Sequence, residues 1–133
     1  MGPFWCGRYG RGVIGIGTDL VEIERFREVL ERTPGIRGRT FTADEQAYAD
    51  QRHDPAERYA VRWAAKEAVM KSMGVGLGEV AMIDIEVVRA ENGAPSIVLH
   101  ETAATRAAEM GIREFKITLT HTDSLAQAIA VAL

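Results

Sequence analysis

Between Asp54 and Gly74 the sequence reads DPAERYAVRWAAKEAVMKSMG, and no other stretch restricts the fold as much. Asp54 to Glu57 has the spacing of a capping box with Pro55 at the favoured first helical position, and Gly74 suits a left-handed cap. The spacing therefore predicts one long helix. Ala60, Ala64 and Ala68 recur every fourth residue, so they share a face on which another element can pack closely. Trp63, Glu67 and Lys71 form the neighbouring stripe. The chain has three lysines, and two of them, Lys66 and Lys71, fall here. The question is whether this helix presents a solvated face or the wall of an active site.

The rest of the chain supplies partners for it. "VIGIGT", Val13 to Thr18, alternates β-branched residues with glycine and predicts a buried first strand. "DLVE", Asp19 to Glu22, then has capping-box spacing, predicting a helix to about Arg32 that buries Val21, Phe26, Val29 and Leu30 and ends at "TPG". "TADE", Thr42 to Glu45, opens a short helix through about Gln51. "IDIEVV", Ile83 to Val88, alternates as a strand, and "ENGAP" carries Asn92-Gly93, the strongest short hairpin signal, before "SIVL". "ETAATRAAEMG" reads as a helix closed by Gly111. "FKITLTHT" and "SLAQAIAVAL" read as a final hairpin. The order β-α-α-α-β-β-α-β-β predicts an α+β fold with a mainly antiparallel sheet.

Composition narrows the function. A chain of 133 residues suits one domain, here residues 13–133, preceded by a glycine- and arginine-rich leader, residues 1–12, expected to be flexible. A formal net charge of −3 speaks against a general nucleic-acid binder, so any anionic ligand must meet a local cluster of positive charge. Cys6 is the only cysteine, which excludes an internal disulfide and a zinc knuckle. No segment has the length of a membrane span or the pattern of a signal peptide, so the expected location is cytoplasmic.

Each candidate residue has a plain structural reading beside a chemical one. "GIGTDL" invites comparison with a dinucleotide-binding turn, but Leu20 stands where the third glycine is needed and no βαβ unit follows. Asp19 is either a helix cap or a metal ligand at a strand end. Glu67 and Lys71 are spaced for a surface salt bridge. The two carboxylates also suit a hard, oxygen-seeking ion such as Mg²⁺. His121, at the end of a strand, is a structural histidine or a catalytic one, with Asp123 placed to stabilise its charged form. His53 and His100 read as surface residues.

Taken together, "GIGTDLVEIERF", "RWAAKEAVMKSMG", "NGAP" and "TLTHTDSLAQAIAV" resemble the holo-[acyl-carrier-protein] synthase family, the small bacterial 4′-phosphopantetheinyl transferases. The match runs from Val13 to the end in family order. The resemblance implies a 4′-phosphopantetheinyl transferase-like fold and transfer of phosphopantetheine from coenzyme A to a serine of apo acyl carrier protein, for fatty acid biosynthesis. It implies Asp19 and Glu67 as Mg²⁺ ligands, with Arg62 and Lys71 near the coenzyme phosphates. Either Glu67 or His121 would serve as the general base. Asn92, Gly93, Pro95 and His121 would hold the nucleotide end at the subunit boundary of a homotrimer, and Arg25 would meet the acidic carrier protein. Rival readings are the same chemistry on a carrier domain of a multifunctional synthase, a non-catalytic coenzyme-A-binding module, and a structural trimer.

Overall fold

The computed structural model describes residues 12–76 and 78–133. Apart from Gly12, the expected leader lies outside the described residues, as does Cys6. The chain runs through β1 (Gly15–Glu22), α1 (Ile23–Arg32), α2 (Ile36–Thr40), α3 (Ala43–Ala49) and α4 (Ala56–Met73). A 3-10 turn at Met82–Asp84 leads into β2 (Ile85–Arg89), β3 (Pro95–Leu99), α5 (Glu101–Glu109), β4 (Phe115–His121) and β5 (Leu125–Ala132). Every strand pairing is antiparallel, in one sheet of order β1-β5-β4 and one of β2-β3. The α+β class and the element order hold, with the short helix α2 added after "TPG".

The long alanine-striped helix is α4, and it lies across β1 and β5. Ala60, Ala64 and Ala68 are fully buried, and Ala126, Ala128, Ala130 and Ala132 of β5 face them with small side chains of their own. Small residues on both surfaces bring main chain close to main chain. At β1 the approach is closer still. A Cβ added to Gly15 would stand 1.8 Å from the Ser72 carbonyl oxygen, and one on Gly17 would stand 2.0 Å from that of Ala68. The "GIG" that resembled a phosphate turn is therefore a notch for the end of α4.

Two cores flank this contact. Phe26, Phe41 and Tyr59 pack with the first half of α4, and Phe41 meets Tyr59 at 4.9 Å between ring centres. The second half of α4 joins Ile85, Val87 and the inner residues of the larger sheet. Lys66 links the two. It is wholly buried, pairs with Glu45 at 2.8 Å and donates to the carbonyls of Met82 and Ile85. Glu45 also accepts from the Val87 and Thr42 amides, the latter completing the predicted capping box.

Several local expectations change. β1 continues through Glu22, with Asp19 opposite Ala128, because an eight-residue ladder to β5 uses the backbone groups that a helix start would leave free. Asp19 is thus no helix cap, and α1 begins after Glu22 without a side-chain cap. The later start shifts the buried face to Ile23, Phe26 and Leu30 and turns Val29 to solvent. Only half of the "DPAE" box forms. Asp54 accepts from the Ala56 amide at 3.3 Å, while Glu57 turns toward His121. Ile83 belongs to the 3-10 turn rather than to β2. The Asn92-Gly93 hairpin forms as expected, with Gly93 at φ 86°. Gly74 takes the left-handed cap.

Candidate active site

Alternation along β1 puts Gly15, Gly17, Asp19 and Val21 on the inner face of the sheet, toward α4. Because α4 sits in the glycine notch, Lys71 comes directly over Asp19. Its ammonium donates to Asp19 Oδ1 at 3.1 Å and to the Thr18 carbonyl at 2.9 Å. The expected surface bridge from Glu67 to Lys71 gives way to this pairing. Glu67 stands close enough to Asp19 to feel its charge. Burial pushes the Glu67 carboxyl above its ordinary value, the Asp19 carboxylate adds to this, and Lys71 partly opposes it. Asp19, Glu67 and Lys71 are therefore brought together at the C-terminal end of α4.

Among the described residues no group of three or more His, Cys, Asp or Glu side chains gathers. Two neighbouring carboxylates, Asp19 drawing an ammonium and Glu67 held above its ordinary value by burial and by the Asp19 charge, nonetheless fit a hard divalent cation. Mg²⁺ commonly takes one or two protein carboxylates and completes its shell with water and phosphate oxygens. This corner opens on a groove of about 490 Å³ lined by Asp19, Leu20, Phe26, Val29, Ile36 and Trp63 among others. Arg25 and Arg32 stand at its rim, and Arg25 is 3.5 Å from Glu22, both side chains well exposed.

Arg62, Gly93, Pro95 and His121 instead line a second cleft of about 390 Å³. Arg62 precedes Glu67 by five positions, roughly 140° around a helix, so the two point from different sides of α4. The sheet separates the histidine in the same way. The register makes Asp19 a neighbour of Ala128 and Leu119, and His121 a neighbour of Ala126 and Val21. Strands two places apart lie about 10 Å from each other, here with β5 between them. Within one chain His121 is thus remote from Asp19. Its carboxylate partner is Glu57 at 3.5 Å, and Asp123 lies in the turn beyond β4. Asn92 accepts from the Ala94 amide and shapes the hairpin. His100, at the surface as expected, meets Glu86 at 2.9 Å.

The second cleft is more basic than its sequence suggested. Arg52, Arg58 and Arg89 line it beside Arg62. Arg62 is almost wholly buried, and among the described residues its Nε has no hydrogen-bond partner. Burial lowers the proton affinity of that guanidinium, and the nearby Arg89 and Arg58 lower it further, against Tyr48 and Glu45. Arg58 and Arg62, four apart on one helix, carried a sequence signal. Arg89 and Tyr48 carried none, because they arrive from separate elements.

The sequence of this chain matches the model of the 4′-phosphopantetheinyl transferase superfamily over residues 15–129. A holo-[acyl-carrier-protein] synthase of Moorella thermoacetica is 42% identical over 115 residues, covering 86% of this chain and 90% of that protein. The fold is similar to the holo-[acyl-carrier-protein] synthase of Neisseria meningitidis, with a TM-score of 0.84 at 27% identity over 92% of this chain and 99% of that one. It is also similar to the Helicobacter pylori holo-[acyl-carrier-protein] synthase solved in complex with coenzyme A, with a TM-score of 0.79 at 26% identity over 89% and 99% of the two chains.

Proposed function

The chain belongs to the 4′-phosphopantetheinyl transferase superfamily, and we infer from that membership that it is a holo-[acyl-carrier-protein] synthase. It transfers the 4′-phosphopantetheine group of coenzyme A to a serine of apo acyl carrier protein. The serine oxygen forms a bond to the β-phosphorus, the bond from that phosphorus to the bridging oxygen breaks, and 3′,5′-ADP leaves. The serine proton passes to a base.

The observation that carries our assignment of the site is the convergence of Asp19, Glu67 and Lys71 at the glycine notch. Asp19 and Glu67 would hold a Mg²⁺ ion. When bound, that ion supplies charge neutralisation at the phosphoryl oxygens and the leaving group. Lys71 supplies a positive charge on a flexible stem, able to leave Asp19 for a phosphate oxygen. Glu67, with its raised proton affinity, suits the role of general base, and His121 is the alternative. Arg25 and Arg32 beside the apolar groove suit an acidic carrier protein. We place the reaction in the cytoplasm. No helix among the described residues is long and apolar enough to cross a membrane.

We further propose that the working site joins two copies of the chain within a homotrimer. Two observations support this. The carboxylate corner and the arginine cleft lie on different sides of α4, with the helix between them. The outer face of the larger sheet also leaves Ile16, Leu20 and Ile129 exposed, enough apolar surface to be covered by another copy.

Intact mass spectrometry of apo acyl carrier protein after incubation with this protein, coenzyme A and Mg²⁺ tests the reading. A gain of one phosphopantetheine arm is expected, and EDTA or Glu67→Ala should remove it. No gain on free carrier proteins, with gain on a synthase carrier domain, would move the acceptor. No gain on any acceptor, from folded protein that binds coenzyme A, would favour a non-catalytic module. Mixing Glu67→Ala with Arg62→Gln, at a coenzyme A concentration too low for either variant alone to turn over, tests the shared site. Recovered activity supports it, and none in mixed oligomers counts against it.

A further inference from the structure

We propose that Tyr48 is a positioning residue for coenzyme A, its ring gathering the guanidinium groups of Arg58, Arg62 and Arg89 into one anion-binding cradle. The proposal rests on the reading of the arginine cleft as the coenzyme's nucleotide end. Three cations from two elements meet a tyrosine from a third. The guanidinium carbons of Arg58, Arg62 and Arg89 lie 3.8, 4.3 and 4.6 Å from the centre of the Tyr48 ring. All three are within the range in which an aromatic face attracts a cation.

Like charges so arranged repel one another, and among the described residues none of the three arginines has a carboxylate within salt-bridge distance. Arg58 and Arg62 each have instead a tether that fixes their direction. Arg58 donates to the Tyr48 carbonyl at 2.7 Å and to Gln51 at 3.2 Å. Arg62 donates to the Arg58 carbonyl at 3.3 Å, and its buried Nε stays without a partner. Arg89 reaches over the hairpin, where a Cβ added to Gly93 would stand 3.2 Å from its Nη2. The glycine of "NGAP" thereby acts through Arg89 by leaving it room.

Three arginines without a salt-bridge partner among the described residues, one of them with a buried donor left over, are arranged for a multiply charged anion. Phosphates fit that description, and guanidinium groups can each present two donors to such oxygens. Without the ring, repulsion would spread the three side chains into solvent. Binding would then have to gather them again, which weakens affinity without altering the chemical step.

The test compares Tyr48→Phe, Tyr48→Leu, Arg62→Gln and Arg89→Gln by steady-state kinetics for coenzyme A and by calorimetric binding of 3′,5′-ADP. Tyr48→Leu should raise KM for coenzyme A on the order of tenfold and weaken 3′,5′-ADP in step, the loss expected for several cation–π contacts. Its kcat should stay within about twofold of the wild type, as for an interaction made equally in ground and transition states. Tyr48→Phe keeps the ring and should behave as wild type. Should Tyr48→Leu fail to fold, Tyr48→Met is read by the same criteria. An unchanged KM in the ringless variant, or an equal loss in Tyr48→Phe, overturns the proposal while the arginine variants still raise KM. If Arg62→Gln and Arg89→Gln also leave KM and 3′,5′-ADP affinity unchanged, the cleft is not the coenzyme's, and the underlying reading fails instead.

Discussion

Lys66 and Lys71 stand five residues apart on α4, and each meets a carboxylate, Glu45 at 2.8 Å and Asp19 at 3.1 Å. The first pair is wholly buried, whereas the Lys71 side chain is 52% exposed. Around Lys66 the hydrogen-bonding capacity is used up. Its ammonium has two carbonyls and Glu45, and Glu45 holds the Val87 and Thr42 amides. Such a closed network ties β2 and α3 to α4 and leaves nothing for a ligand. Around Lys71 the groups remain in contact with water, and burial together with the Asp19 charge holds the Glu67 carboxyl above its ordinary value. The same helix therefore holds a closed ion pair on one side and an open one on another. What separates them is whether the charges are already satisfied.

Glu67→Gln should break the open side most. Transfer should fall by about 10²–10⁴-fold, the usual contribution of a positioned acid–base group, measured as holo carrier protein formed per minute. Stability should move the other way. A carboxyl with a raised proton affinity contributes stability that is complete below the unfolded glutamate range and is lost as pH rises through the folded value. The neutral glutamine should thus melt higher than wild type near neutral pH and lose that advantage in acid. Equal melting temperatures at both pH values would contradict the assignment.

Lys66→Met attacks the closed side and should cost about 3–5 kcal/mol in urea unfolding, because Glu45 is left charged and unpaired in the interior. Adding Glu45→Leu should restore much of the loss. If the double variant stays as unstable as the single, the pair is not the closed unit described. Gly17→Ala should cost at least as much, because its Cβ would stand 2.0 Å from the Ala68 carbonyl oxygen and only a shift of main chain could relieve it. It should also reduce activity, since its Cβ would stand 2.9 Å from Lys71 Cβ. The smallest stability effect belongs to Lys71→Ala, at most about 1 kcal/mol by thermal melting, as for an exposed ion pair. Activity should nevertheless fall. A large melting shift here would erase the contrast between the two lysines.

Local chemistry was legible in the sequence where neighbours in the chain decide the structure. The Thr42–Glu45 capping box, the Gly74 cap and the Asn92-Gly93 hairpin all depend on a few adjacent residues, and all form. Asp19 was misassigned as a possible cap because its partner strand lies over a hundred positions away. Capping-box spacing lost to the β5 ladder, which no local pattern announces. Glu67 and Lys71 were identifiable as candidates from one helix, but their direction toward Asp19 required the sheet. Tyr48, Arg58 and Arg89 went unread for a similar reason. Their significance is a meeting of three elements, two of which close only when the second sheet is in place. Lys66 carried no role in the sequence beyond falling on the same helix as Lys71, and its burial against Glu45 reveals its task.

The glycine notch also sets how accurately the carboxylate corner is aimed. Elements held apart by long side chains can shift as those side chains exchange rotamers, on picosecond to nanosecond timescales. At Gly15 and Gly17 no side chain intervenes between β1 and the carbonyls of Ser72 and Ala68. The gap there depends on no rotatable bond. Asp19 and Glu67 are attached a few bonds away from this contact, so their separation inherits the stiffness of two main chains. Two absent methyl groups act as the mechanical reference from which the corner is measured.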